Sequence, residues 1–322
     1  MKSVEVMKQK LAGLQGSRTA KGEFFLEPAL AAKITGILDP VMAKKEAVLQ
    51  LGWDYVAETI DKQSGSEDPW GRLDMGQRGY ARPVYSNIGE LCEGLRFGKL
   101  SFNNLSFWKK NTDLFILALV DGPFQTLGSL LEYNQFMMDT RSKPDLMKKG
   151  AELVSMQIAK IVQEAIEAGA DGIVLGEDIA YSKSLIVSPH TLREIFFPCI
   201  REIISRCPKP VVFHSDGNLK EVLVDIAATG AAGLHSLEEA ASMNILEVRK
   251  LVGERICLFG GFDLGYLHDL NEEDLVKKVQ EILLIGRQSE PYVFGTSAGI
   301  LDEKLPLKKI NQIYAAAANL PY

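Results

Sequence analysis

The polarity pattern of the 322-residue chain alternates between two periods. Short apolar runs at Gly22–Leu26, Asp54–Ala57, Leu114–Val120, Gly172–Leu175, Val211–Phe213, Ala232–Leu234, Ile256–Phe259 and Tyr292–Phe294 read as buried strands. Between them apolar residues recur every three or four positions, the period of a helix with one buried face. Ala151–Ala168 shows this most clearly, with Val154, Ile158, Ile161, Val162 and Ala165 on one stripe. Glu221–Ala227, Ile245–Val252, Asp274–Ile285 and Leu307–Ala317 repeat it at shorter length. Strand–helix alternation running to the end of the chain predicts a parallel sheet. Eight strands, with no glycine-rich dinucleotide fingerprint opening the first helix, favour a closed (β/α)8 TIM barrel over an open doubly wound sheet. The expected organisation is a single α/β domain over residues 1–322 with N-terminal helical additions.

Two regions break the alternation. Gln63–Pro83 is polar and glycine-rich, with Trp70 and Tyr80 embedded in it, and a loop of that length is expected to be functional or mobile. Residues 84–112 read as helical turns whose Phe102, Leu105, Phe107 and Trp108 either cover the barrel mouth or pack a satellite core.

In the second half of the chain, each apolar run ends in polar residues. Leu175 is followed by Gly176-Glu177-Asp178, Phe213 by His214-Ser215-Asp216, Leu234 by His235-Ser236, Phe259 by Gly260-Gly261-Phe262-Asp263 and Phe294 by Gly295-Thr296-Ser297. If the strands are parallel neighbours, these endings converge on one rim, where ligands bind in such folds. Each residue also has a plainer reading. Asp216 and Asp263 could cap the helices that follow them, and Ser188-Pro189 has the form of a cap and a first-turn proline. His190 and His268 read as surface residues, and His235 divides evenly between packed core and rim. His214 follows three large apolar residues, so its ring is expected in the mouth. Of the adjacent Glu177 and Asp178, strand alternation sends only one inward, and a buried carboxylate needs a partner. Imidazole plus carboxylates suits zinc and suits a general acid–base pair equally well.

Composition narrows the function classes. Apolar residues make up 46%, charged residues 24%, and the net charge is −6, which argues against a nucleic-acid surface. The longest apolar run, Leu114–Val120, falls far short of the ~20 residues of a membrane helix, and the first residues lack a secretion-signal core. Cysteines at 92, 199, 207 and 257 have no paired short spacing, so neither a disulfide framework nor a thiolate cluster is expected, and a cytoplasmic setting is.

Several segments, in order, resemble the uroporphyrinogen decarboxylase superfamily: Asp121-Gly122-Pro123-Phe124, Gly169-Ala170-Asp171-Gly172, Ile186-Val187-Ser188-Pro189, Leu192–Pro198, Pro210–Asn218, Gly253-Glu254-Arg255-Ile256 and Ala298-Gly299-Ile300-Leu301. The likeness runs from about residue 113 to the end; earlier, Lys21-Gly22-Glu23-Phe24-Phe25 resembles the family's first strand. It implies a (β/α)8 barrel with its site on the C-terminal rim. Decarboxylases of the family carry an arginine-rich segment after the first strand; here that segment reads Glu27-Pro28-Ala29-Leu30-Ala31-Ala32, and Arg18 is the only arginine before Arg72. The corrinoid-dependent methyltransferase branch is closer in pattern. Its thiol-methylating members bind zinc through His-x-Cys and a later cysteine. His214 matches the first ligand, whereas Asp216 and Ala298 stand where the cysteines would be, implying an oxygen-rich site. The resemblance implies an O-demethylase-type enzyme that moves a methyl group from a small methylated compound to a cobalamin protein. Glu177, His214 and Asp216 would be the metal ligands, with Asp178 and His235 beside them as catalytic candidates. Trp70, Tyr80, Phe102 and Trp108 would line an aromatic substrate pocket. A decarboxylase, a non-catalytic binding member and a metal-independent acid–base enzyme remain as alternatives.

Overall fold

The computed structural model describes residues 1–62 and 83–319. Trp70, Tyr80 and the rest of the loop up to residue 82 lie outside the described residues.

Eight strands form one sheet: β1 (Ala20–Lys21), β2 (Tyr55–Thr59), β3 (Phe115–Asp121), β4 (Gly172–Gly176), β5 (Val211–His214), β6 (Gly233–His235), β7 (Cys257–Phe262) and β8 (Tyr292–Thr296). Every pairing is parallel, in the order β1-β8-β7-β6-β5-β4-β3-β2. Across the seam between β1 and β2, the Asp54 amide donates to the Lys21 carbonyl (2.8 Å). This is the (β/α)8 TIM barrel, with helices between successive strands and a short one, Ser3–Leu11, ahead of β1. The first barrel strand is Ala20–Lys21 rather than Gly22–Leu26. Phe25–Leu26 leaves the barrel and pairs with Ile300–Leu301.

The apolar residues divide by strand parity into two cores. Val174, Val212, Leu117, Phe259 and Val293 point inward and fill the barrel. Their neighbours Ile173, Leu175, Phe213 and Leu234 point outward into the layer under the helices. That layer buries one stripe of helix Pro144–Glu167, including the predicted Val154, Ile158, Ile161, Val162 and Ala165. Ser188 caps the following helical segment by accepting from the Thr191 amide (3.1 Å), as expected. His190 and His268 are exposed. Among the described residues, no helix is long and apolar enough to cross a membrane.

Two sequence expectations about aromatic residues are corrected here. Trp108 is buried in the helix–sheet core, where its indole Nε1 donates to Glu58 Oε1 (2.6 Å). Phe102 is half-buried and packs against that core. Their positions follow from helix Asn103–Asn111, which turns Leu105 and Trp108 onto the sheet.

Candidate active site

Strand register builds the site. His214, the last residue of β5, pairs with Gly176 of β4 on one side and with His235 of β6 on the other. Parity then assigns the side chains. His214 shares the inward face with Val212, and Asp178 continues the face of Val174, whereas Glu177 continues the outward face of Leu175.

The consequence is a three-residue cluster of Asp178, His214 and Asp216. One potential ligand atom from each lies within 4.8 Å of the others, and His214 Nε2 stands 3.9 Å from Asp178 Oδ1. The Asp216 amide donates to Asp178 Oδ1 (3.2 Å), holding the turn after β5 against the end of β4. The turn itself depends on Gly217, at φ +87°, where a Cβ would stand 2.6 Å from the Tyr181 carbonyl oxygen. Desolvation raises the Asp216 carboxyl above its ordinary range, His214 opposes the shift and Asp178 adds to it. Desolvation also raises the nearby Glu238, with Asp216 and Asp263 reinforcing it.

Glu177 was expected to be a ligand together with His214 and Asp216, but the carboxylate that joins those two is its neighbour Asp178. Glu177 is fully buried, and its Oε2 accepts from the amides of Phe124 (3.0 Å) and Gln125 (3.1 Å), closing the start of helix Pro123–Leu130 from a neighbouring strand. Burial pushes its pKa well above the ordinary carboxylate range, against the pull of those two amides. Gly122 makes room for it, since a Cβ there would lie 2.4 Å from the Glu177 carboxyl carbon.

His235 is buried, yet it belongs to the site. Its Nε2 faces the Thr296 carbonyl oxygen (3.2 Å), which can only accept, so Nε2 carries the hydrogen. Desolvation, followed by His214, lowers its pKa well below 6.5, so the ring is neutral and Nδ1 is an acceptor. His214 Nδ1, 2.8 Å away, must therefore donate to it. In a neutral His214 ring the lone pair is then on Nε2, the atom that faces the carboxylates. A buried acceptor that fixes the tautomer of an outer imidazole is the usual support for a metal-ligating histidine. Phe24 packs on both rings, with centroids 4.6 Å from His235 and 5.9 Å from His214.

The sequence reading did not single out the next layer. Glu23 is buried and accepts from the Thr296 amide and hydroxyl (2.7 Å each) and from the Tyr314 hydroxyl. It thereby holds the strand end whose carbonyl orients His235. The available signal was a carboxylate set directly before Phe24-Phe25-Leu26. Burial pushes Glu23 from an ordinary 4.5 to about 7, while the hydrogen bonds from Tyr314 and Thr296 pull it down. Because the folded value is the higher one, this group's contribution to stability falls as pH rises from about 4.5 to about 7. Glu23→Gln resembles the protonated form. Thermal unfolding of this variant should match the wild type near pH 4.5 and exceed it by about 3 kcal/mol above pH 7; a constant difference across that window would contradict the assignment.

Asp178 also lines a cavity of about 610 Å³ outside the cluster, walled by Phe124, Phe136, Tyr133, Tyr181 and Ile186. The two tyrosine hydroxyls hydrogen-bond to each other at 2.8 Å. Aromatic walls are therefore present, but they come from residues 124–186 rather than from Phe102 and Trp108.

A curated methylcobamide:CoM methyltransferase MtaA from Methanosarcina barkeri is 25% identical over 208 residues, covering 65% of this chain and 59% of that protein. A uroporphyrinogen decarboxylase from Chlorobium phaeovibrioides is 25% identical over 237 residues, covering 69% and 63%. The chain thus spans less than two thirds of the length of the curated relatives it matches. The solved structure of a methyltransferase from Methanosarcina mazei superposes with a TM-score of 0.77 at 17% identity, covering 99% of this chain and 98% of that one, which supports the barrel fold. The family profile described as uroporphyrinogen decarboxylase (URO-D) matches residues 105–320, two thirds of the sequence and the whole of the site from β4 onward, and the chain belongs to that family.

Proposed function

We propose that this protein is a methyltransferase that takes a methyl group from a small methylated compound, an aromatic methyl ether being the best fit, and passes it to a cobalamin carried by a separate protein. The observation that carries the reading is that His214 Nε2 stands 3.9 Å from Asp178 in a cluster completed by Asp216, while Asp178 also forms part of the wall of the aromatic cavity. A methyl ether bound in that cavity could reach the cluster with its oxygen. The reading also draws on the methyltransferase named among the relatives.

One imidazole and two carboxylates form a reasonable donor set for zinc, and the tautomer imposed by His235 leaves the required lone pair on His214. A zinc ion held by Asp178, His214 and Asp216 would supply Lewis acidity, withdrawing charge from the leaving oxygen. The chain's residues would place that oxygen, orient the methyl group outward to the cobalt nucleophile and exclude water behind it. In that transfer the C–O bond would break as the partner's cobalt(I) gave the electron pair for its new bond to the methyl carbon, and water would supply the proton to the departing oxygen. The described rim disfavours a polyanionic tetrapyrrole. It presents Asp178, Asp216 and Glu238, and Arg18 lies at the other end of the barrel, bound to Asp54.

The direct test mixes the purified protein, free cob(I)alamin and a methoxyphenol and follows methylcobalamin by absorbance. Methylcobalamin formation is expected; consumption of uroporphyrinogen without any corrinoid would replace this reading with the decarboxylase one. Filling the cavity with Ile186→Trp should raise KM for the methoxyphenol roughly tenfold or more, with the fold retained. An unchanged KM would place the substrate elsewhere.

A further inference from the structure

The end of the barrel opposite the histidines holds a second cavity of about 480 Å³, formed where the chain enters β1, β2 and β3. Lys21 lines it and is only 7% exposed. Gly52 locates the ammonium group: a Cβ built on that glycine would meet only the tip of Lys21, with Nζ at 3.6 Å and Cε at 3.7 Å. Among the described residues, this ammonium has no hydrogen-bond or ion-pair partner.

The neighbouring carboxylate is already committed. Asp54 accepts from Ser3 Oγ (2.8 Å), from Arg18 Nη1 (2.8 Å) and Nη2, and from the Lys21 amide (3.1 Å). Four donors fill the acceptor capacity of a carboxylate. Arg18 pairs with Asp54, and the exposed Asp113 pairs with Lys2 at 3.2 Å, so of these groups the Lys21 ammonium is the one without an ion-pair partner. Trp53, another residue of the wall, has a buried indole Nε1 without a hydrogen-bond partner. The rest of the wall includes Leu49, Leu114 and Ala317, which are apolar.

We propose that this cavity binds a small organic carboxylate, with its oxygens on the Lys21 ammonium and its apolar part against Leu49, Leu114 and Ala317. The stem of Lys21 is buried while its ammonium opens into the cavity, and an ammonium without a carboxylate of its own gains from a bound counter-anion. Consistent with this, desolvation lowers the Lys21 pKa, with Asp54 opposing the shift. One unpartnered ammonium suits a monoanion, and the apolar wall suits a hydrocarbon tail rather than inorganic phosphate. The proposal is independent of the methyltransferase reading.

Thermal unfolding of the 322-residue chain tests it. Sodium hexanoate should raise Tm in a saturable way, whereas sodium chloride at equal ionic strength and the neutral hexanamide should not. Lys21→Met, or Lys21→Gln where the first variant does not fold, should lose the hexanoate shift. The ligand-free Tm of that variant should be equal to or above that of the wild type, because an ammonium without an ion-pair partner has gone from a largely buried side chain. The proposal is overturned if hexanoate gives no specific shift, if hexanamide or phosphate matches it, or if the variant keeps it.

Discussion

Replacing His214 with alanine is expected to lower methyl transfer by about 10³-fold or more, within the range lost when a positioned catalytic group is removed. The fold should survive. His214 lies on the inward face at the last position of β5, and the backbone bonds beside it, from the Glu177 amide to its carbonyl (2.7 Å) and from the Ser215 amide to the His235 carbonyl (2.9 Å), do not involve its ring. Activity measured together with circular dichroism decides the matter. Asp178→Asn should follow His214→Ala in direction, because Asp178 shares both the cluster and the cavity. Glu177→Gln should not, because Gln still offers an oxygen to the amides of Phe124 and Gln125. Full activity in His214→Ala would remove the proposed mechanism.

The largest expected effect on stability comes from Trp108. Trp108→Ala should cost about 3–5 kcal/mol, the usual range for deleting a fully buried large aromatic side chain. It also leaves Glu58 Oε1, which accepts from Trp108 Nε1 and from Lys44 Nζ (2.8 Å), with one donor fewer. Denaturant unfolding should show the loss while KM for the methyl donor stays unchanged. The opposite outcome, intact stability with raised KM, would restore Trp108 to the substrate pocket.

Much of this architecture is legible in the sequence, and the reasons are specific. Seven of the eight strands fall where an apolar run ends in polar residues, because a strand covered on both faces can show polarity only where it leaves the sheet. β1 was misplaced because Ala20–Lys21 is only two residues long and carries a lysine, while the more apolar Phe25–Leu26 lies outside the barrel. His214 and Asp216 were legible from their place beyond Val211–Phe213. The choice between Glu177 and Asp178 was also available: Val174 and Asp178 share a parity, so counting in twos from Val174 brings Asp178 inward. The role of Glu23 was not legible, since its partners Thr296 and Tyr314 come from the other end of the chain. Nor could residue type alone assign Trp108, because helix phase, and not aromaticity, decided that it faces the sheet.

The central claim is that Asp178, His214 and Asp216 act together as one metal-binding site at the C-terminal rim. Metal analysis of the purified wild type beside His214→Ala tests it most directly. The account expects about one zinc per chain in the wild type and near none in the variant. Equal zinc in both proteins, or a wild type that binds none after zinc is supplied, would contradict it.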